Sequence, residues 1–131
     1  MEQLASDGIH VAIATNQGGV AAGHKTIKGM KSEIEYCISL FPPELQKTVR
    51  AFACPDFDGK QCYEIYQYGP LVFMENASHE DVAFRKGGAG MLRLAMKRYG
   101  LTDPKQCLMV GDRPEDEEAA SAAGMVFGWV Q

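Results

Sequence analysis

Apolar positions follow two rhythms along this chain. Short runs at residues 9 to 15 (IHVAIAT), 48 to 54 (TVRAFAC), 106 to 112 (QCLMVGD) and 125 to 130 (MVFGWV) are strand-like in length. The first and third read as strands buried on both faces. Between them the period changes to that of a helix. Ile27, Met30, Ile34, Cys37, Ile38 and Phe41 share one face, with Thr26 as a candidate N-cap and Pro42–Pro43 as the stop. Residues 89 to 100 (AGMLRLAMKRYG) form a second amphipathic helix, with Gly100 as its C-cap. Residues 113 to 124 (RPEDEEAASAAG) form a third, with Pro near its start.

From Pro55 to Ala83 the texture shifts to Asp, Gly, Tyr and Asn, with β-like pieces CYEIYQY and PLVFM. This segment reads as an insertion, built as a hairpin and lying over the functional edge. Strand, helix, strand, insertion, helix, strand, helix, strand is the alternation of an α/β domain with a parallel sheet. In such sheets ligands bind beyond the carboxyl ends of the strands. Two polar clusters fall at that edge: TNQGG after the first strand and GDRPED after the third.

At 131 residues the chain is one domain by length, with a net charge of −4 that leaves no basic stripe for a large nucleic-acid surface. There is no run long enough to span a membrane and no signal-like N-terminus, and its four cysteines are scattered. The expectation is a cytoplasmic protein with reduced thiols.

Chemistry concentrates in three places. Thr15 and Asn16 offer a hydroxyl, an amide and backbone N–H groups at a strand end. Gly18 and Gly19 there would let the backbone approach a phosphoryl group closely, although Asn and Gly also make plain turns. Lys86, in FRKGGAG, is a point charge just before a helix N-terminus, a suitable place for an anion and also an ordinary place for a solvated lysine. Asp112 and Asp116 lie one helical turn apart, a spacing of hard oxygen ligands that fits Mg²⁺. Glu115, Glu117 and Glu118 complement the helix dipole and need no ligand role.

In this order, IATNQGG, FRKGGAGML and LMVGDRPEDEEAASAAGMVFGWV resemble the second, third and fourth motifs of the haloacid-dehalogenase-like (HAD-like) phosphatases. The likeness is to the branch of heptose bisphosphate, histidinol and polynucleotide 3′-phosphatases, and it spans most of the chain outside residues 55 to 83. It implies a Rossmann-like three-layer sandwich and Mg²⁺-dependent phosphoryl transfer through an aspartyl-phosphate. Carried over by position, Thr15, Asn16 and Lys86 would hold the phosphoryl group. Asp112 would ligate Mg²⁺, and Asp116 would support the metal or orient Lys86. The substrate would be a sugar phosphate, histidinol phosphate or a nucleic-acid 3′ end.

The family's first motif, an apolar strand ending in Asp-x-Asp that carries the nucleophile, has no match here. Asp56-Phe57-Asp58 has the letters but comes too late in the chain, and Asp7 is isolated at a turn before the first strand. Residues 1 to 8 read as the end of a helix, so the expectation is a domain truncated ahead of Met1 that lacks its central strand. Gly87 stands where the resembled motif usually has Pro. Cys54 and Cys62 lack the neighbouring Cys and His that a zinc loop would need, with His79 far along the chain, so they read as ordinary thiols. Cys37 and Cys107 read as core. Tyr63, Tyr66 and Tyr68 read as one strand face, available for stacking but more ordinarily used in packing.

Three readings follow from the resemblance. The first is a phosphomonoesterase of which this chain is an incomplete copy, inactive alone. The second is a non-catalytic phosphate-binding protein. The third is half of a split enzyme, with another polypeptide supplying the nucleophile.

Overall fold

In the computed structural model, residues 9–67, 69–75 and 83–130 are described, and they build six strands in two sheets. The expected helix end at Gly8, together with Asp7, Tyr68 and His79, lies outside the described residues. The first sheet runs β1 (Ala12–Asn16), β2 (Arg50–Cys54), β3 (Gln61–Tyr66), β4 (Val72–Glu75). β1 and β2 are parallel, with Thr15 opposite Ala53, whereas β2, β3 and β4 are antiparallel. The second sheet pairs β5 (Leu108–Gly111) with β6 (Val126–Trp129) in parallel. The architecture is α/β, as the alternation predicts. β1 and β5 belong to different sheets and do not pair with each other.

Five helices flank these strands: α1 (Gly18–Ala21), α2 (Ile27–Ser39), α3 (Pro43–Gln46), α4 (Gly90–Arg98) and α5 (Pro114–Ala123). The Thr26 hydroxyl accepts from the Gly29 N–H at 2.9 Å and so starts α2 as expected. Along α2 the stripe Met30, Ile34, Ile38 is buried against Ala51, Ala53 and Ile65, with Val11 and Ile13 of the β1 segment at its margin. Each such side chain contributes about 1.5–3 kcal/mol by leaving water. On the other face of the sheet, α4 covers Phe52, Cys54 and Cys62 through Met91. Ala89, Leu92, Ala119 and Ala123 join α4 to α5 beneath Met109. The helix C-termini follow the sequence: Gly100 and Gly124 both take positive φ, 69° and 78°, just past α4 and α5.

Several expectations are corrected. Strands β3 and β4 pair as a hairpin that extends the sheet edge beside β2. Phe57, ahead of them in the same segment, reaches the loop after β1, and residues 76–82 lie outside the described residues. Tyr63 and Tyr66 are three residues apart on β3, an odd spacing that puts them on opposite faces. Tyr63 packs toward α2 and against Phe73, with ring centroids 5.1 Å apart. Cys37 is exposed rather than core, because the α2 stripe passes through its neighbour Ile38. β5 is not buried on both faces: Leu108 is 64% exposed and Val110 53%, with Val126 beside them at 54%. The reason is the layering, since α4 and α5 lie on the opposite face and α2 covers the first sheet.

Candidate active site at the strand ends

The carboxyl ends of β1 and β5 meet through one lysine. Gln17 N–H donates to the Cys54 carbonyl at 2.7 Å, so the odd positions of this segment turn toward β2. The even positions turn to the open edge. Ala14 is one of them, and its carbonyl accepts from Lys86 Nζ at 3.0 Å. The same ammonium stands 2.7 Å from Asp116 Oδ1, with side-chain exposures of 13% and 5%. Lys86 thus bridges the first sheet to α5, the helix between the two strands of the second.

Asn16 places that lysine. Its Oδ1 accepts from the Lys86 N–H at 2.8 Å, and its Nδ2 donates to the Lys86 carbonyl at 3.1 Å. A side-chain amide matched to the N–H and C=O of one residue in this way fixes the loop ahead of α4 on the end of β1. The side chain of Asn16 is therefore engaged in positioning Lys86.

Asp116 is fixed as tightly from its other oxygen. Oδ2 accepts from the N–H groups of Asp112 at 3.2 Å and Arg113 at 3.3 Å, folding the carboxylate back over the first turn of α5. Burial pushes its carboxyl up, but Lys86 and the two backbone N–H groups outweigh this and hold it below its ordinary value. Only glycine fits at position 111: a Cβ there would lie 2.5 Å from that of Asp116. Strand end, helix start and ion pair are thus one interlocked unit.

Asp112, by contrast, is exposed and free to face a ligand. Among the described residues no group of three or more His, Cys, Asp and Glu stands close enough to hold a metal ion. The donor set at β5 is one available carboxylate, Asp112, next to one already held by Lys86. Asp56 is committed elsewhere, accepting from the N–H groups of Lys60 at 3.0 Å and Gln61 at 3.2 Å to build the turn into β3. Burial pushes the thiols of Cys54 and Cys62 up to about 12, as for neutral core groups, with Asp56 adding to the shift at Cys54.

Thr15 joins the site through Gln17, whose Nε2 donates to its hydroxyl at 3.0 Å. Gln17 Oε1 accepts from Lys25 Nζ at 3.0 Å, and Lys25 is paired with Glu33 at 2.9 Å. Sequence reasoning passed over Lys25 and Arg85. The Arg85 guanidinium lies 5.4 Å from the centroid of the Phe57 ring, and its Nη1 is buried without a hydrogen-bond partner among the described residues. The two glycines after Gln17 make room for these groups. A Cβ on Gly18 would meet Phe57 at 2.8 Å and Arg85 at 3.3 Å, and one on Gly19 would meet Lys25 at 3.2 Å. The adjacency of Arg85 to Lys86 was the available signal. Lys25 carried none, because its link to Thr15 runs through the side chain of Gln17. Gly87 faces Glu118, whose Oε2 would lie 2.7 Å from a Cβ at that position.

Residues 83–131 match the HAD-hydrolase-like family model. Over 123 residues, 94% of its length, the chain is 31% identical to D-glycero-beta-D-manno-heptose-1,7-bisphosphate 7-phosphatase of Mesorhizobium japonicum. It spans about half the length of that relative (50%).

Proposed function

We propose that the chain is a haloacid-dehalogenase-like domain that supplies the phosphate-handling edge of a phosphomonoester hydrolase acting on a sugar phosphate. The observation that carries this is the Lys86 ammonium, held between Asp116 and the Ala14 carbonyl where β1 and β5 end. A fixed cation in a largely dry setting stabilises charge on a phosphoryl oxygen without reorganising during the reaction. Asp116 and Asn16 act through it, as positioning residues. The Thr15 hydroxyl and Arg85 Nη1, which has no hydrogen-bond partner among the described residues, are further donors that an anion at this edge would satisfy. A sugar phosphate is favoured by the substrate in the relative's name, and the net charge of −4 argues against a polynucleotide.

Mg²⁺ fits this edge as a cation shared with the substrate's phosphate. It takes one or two protein carboxylates and keeps several waters, and Asp112 is the one carboxylate available to it. When bound, it neutralises charge on the phosphoryl oxygens. With Asp112 so used, Asp116 paired and Asp56 in its turn, these three carboxylates, among the described residues, are not available to attack phosphorus. The nucleophile would come from a further segment or another chain. A second reading, phosphate binding without turnover, is favoured by the same inventory.

Phosphate release from a heptose bisphosphate, followed with and without Mg²⁺, tests both. The chain of residues 1 to 131 is expected to bind inorganic phosphate through Lys86 and to turn over negligibly. Turnover restored by an added peptide carrying an apolar strand that ends in Asp-x-Asp supports the enzymatic reading over simple binding. Mg²⁺-dependent turnover by the chain alone would overturn the reading that its nucleophile comes from elsewhere.

A further inference from the structure

A second, differently built cationic cleft opens at the other end of the same strands. It has a volume of about 230 Å³ and is lined by Lys47, Arg50, Arg98, His10, Tyr66 and Tyr99. Arg50 begins β2, opposite Ala12 of β1 and Tyr66 of β3. The cleft therefore sits at the amino-terminal end of the parallel pair, four residues from Asn16 along β1. At strand rise that is roughly 13 Å from the Lys86 edge.

The cleft is rigidly made. Buried Glu64, 3% exposed, holds Arg50 Nη1 at 2.6 Å and Arg98 Nε at 2.7 Å. Each guanidinium carries a full fork of donors, more than one carboxylate can satisfy. Glu64 itself is not part of the lining, so an occupant meets the two arginines and Lys47 without an intervening carboxylate. The aromatic walls are fixed as well. Tyr99 OH donates to the carbonyls of Val11 and Thr48, at 2.9 and 2.7 Å, and accepts from the Arg50 N–H at 3.0 Å. His10 stacks on the Tyr99 ring with centroids 4.6 Å apart, and the Arg50 guanidinium lies 5.1 Å from the centroid of Tyr66.

One buried carboxylate between two arginines would by itself be a structural ion cluster, and Arg98 also complements the C-terminal end of α4. Neither role calls for Lys47 from a separate element or for a cavity of this size between the cations. We propose that this cleft is a second anion site, independent of the Lys86 edge, for a small molecule carrying a phosphate group. Arg50 and Arg98 bind the phosphate with pre-positioned donors, and Lys47 closes the charge from the rim.

Pyrophosphate, titrated into the full chain without Mg²⁺ and followed by amide NMR, tests this. The expected response is saturable shifts at Thr48, Tyr66 and Tyr99 that persist in Lys86→Ala. Lys47→Glu and, separately, Arg98→Gln should each weaken that binding about tenfold, the loss of one charge-assisted contact. Lys47 is exposed, so its substitution leaves the fold intact. Citrate in place of pyrophosphate separates a phosphate site from a general anion site, and equal affinity for both would overturn the phosphate assignment. The proposal fails if pyrophosphate moves none of the three amides. It also fails if both variants bind as the parent does, or if the cleft answers to single-stranded oligonucleotide and not to the small anion.

Discussion

Asp116 is the residue on which most of the strand-end geometry turns. It neutralises Lys86 with one oxygen and caps the start of α5 with the other. Replacing it with Ala strands a nearly buried ammonium and frees two N–H groups. The expected loss is about 3 kcal/mol, measured by urea unfolding at neutral pH. Asp116→Asn keeps a capping acceptor and should lose less. Acid titration gives an independent check. Because the folded carboxyl is held below its ordinary 3.8, its contribution is complete above that value and is lost as pH falls through the lower folded value. Below about pH 4 the parent should therefore lose stability more steeply than Asp116→Asn, and parallel curves would show that the ion pair adds nothing.

At the scale of elements, the two sheets differ in what covers them. The first is clad on both sides, by α2 and by α4. The second has helix on one side and, among the described residues, exposed Leu108, Val110, Val126 and Val130 on the other. Apolar side chains in water hold no core together, so Leu108→Thr and Val126→Thr should each shift stability by less than about 0.5 kcal/mol. Phe52→Ala, at a fully buried position, should cost about 3–5 kcal/mol. Urea midpoints for the three variants decide this, and a loss above 2 kcal/mol at Leu108 would mean that its face is covered in solution. The same contrast shows what the sequence could reveal. Period, caps and breakers marked α2, α4 and α5 to within a residue or two, since helix ends depend on local chemistry at Thr26, Gly100, Pro114 and Gly124. An apolar run such as LMV reads the same whether one face or two is covered, because cover is supplied by elements distant in sequence. The strand-end cluster was legible because topology brings the ends of parallel strands to one edge. The Asn16–Lys86 clamp, the commitment of Asp116 and the nearness of Lys25 and Arg85 were not, since each depends on where a loop lands.

For the molecule as a whole, the two proposals together put an anion site at each end of one short parallel pair, with opposite demands for metal. At the Lys86 edge the phosphate would share Mg²⁺ with Asp112, whereas the Arg50–Arg98 cleft offers cations alone. A ligand that binds the folded state and not the unfolded one raises stability by RT ln(1 + [L]/Kd), about 1.4 kcal/mol at ten times Kd. Each site should therefore add its own increment, and the two should separate by what abolishes them. The increment seen with phosphate only when Mg²⁺ is present should vanish in Asp112→Ala and in Lys86→Ala and survive Lys47→Glu. The increment seen without Mg²⁺ should survive Asp112→Ala and Lys86→Ala and fall to about 0.4 kcal/mol in Lys47→Glu, where binding is about tenfold weaker. Thermal unfolding of the four proteins, each with and without phosphate and Mg²⁺, reads both at once. The strand ends lie roughly 13 Å apart and share no side chain, so the two gains should add. A phosphate response lost equally in all three variants would collapse the two sites into one.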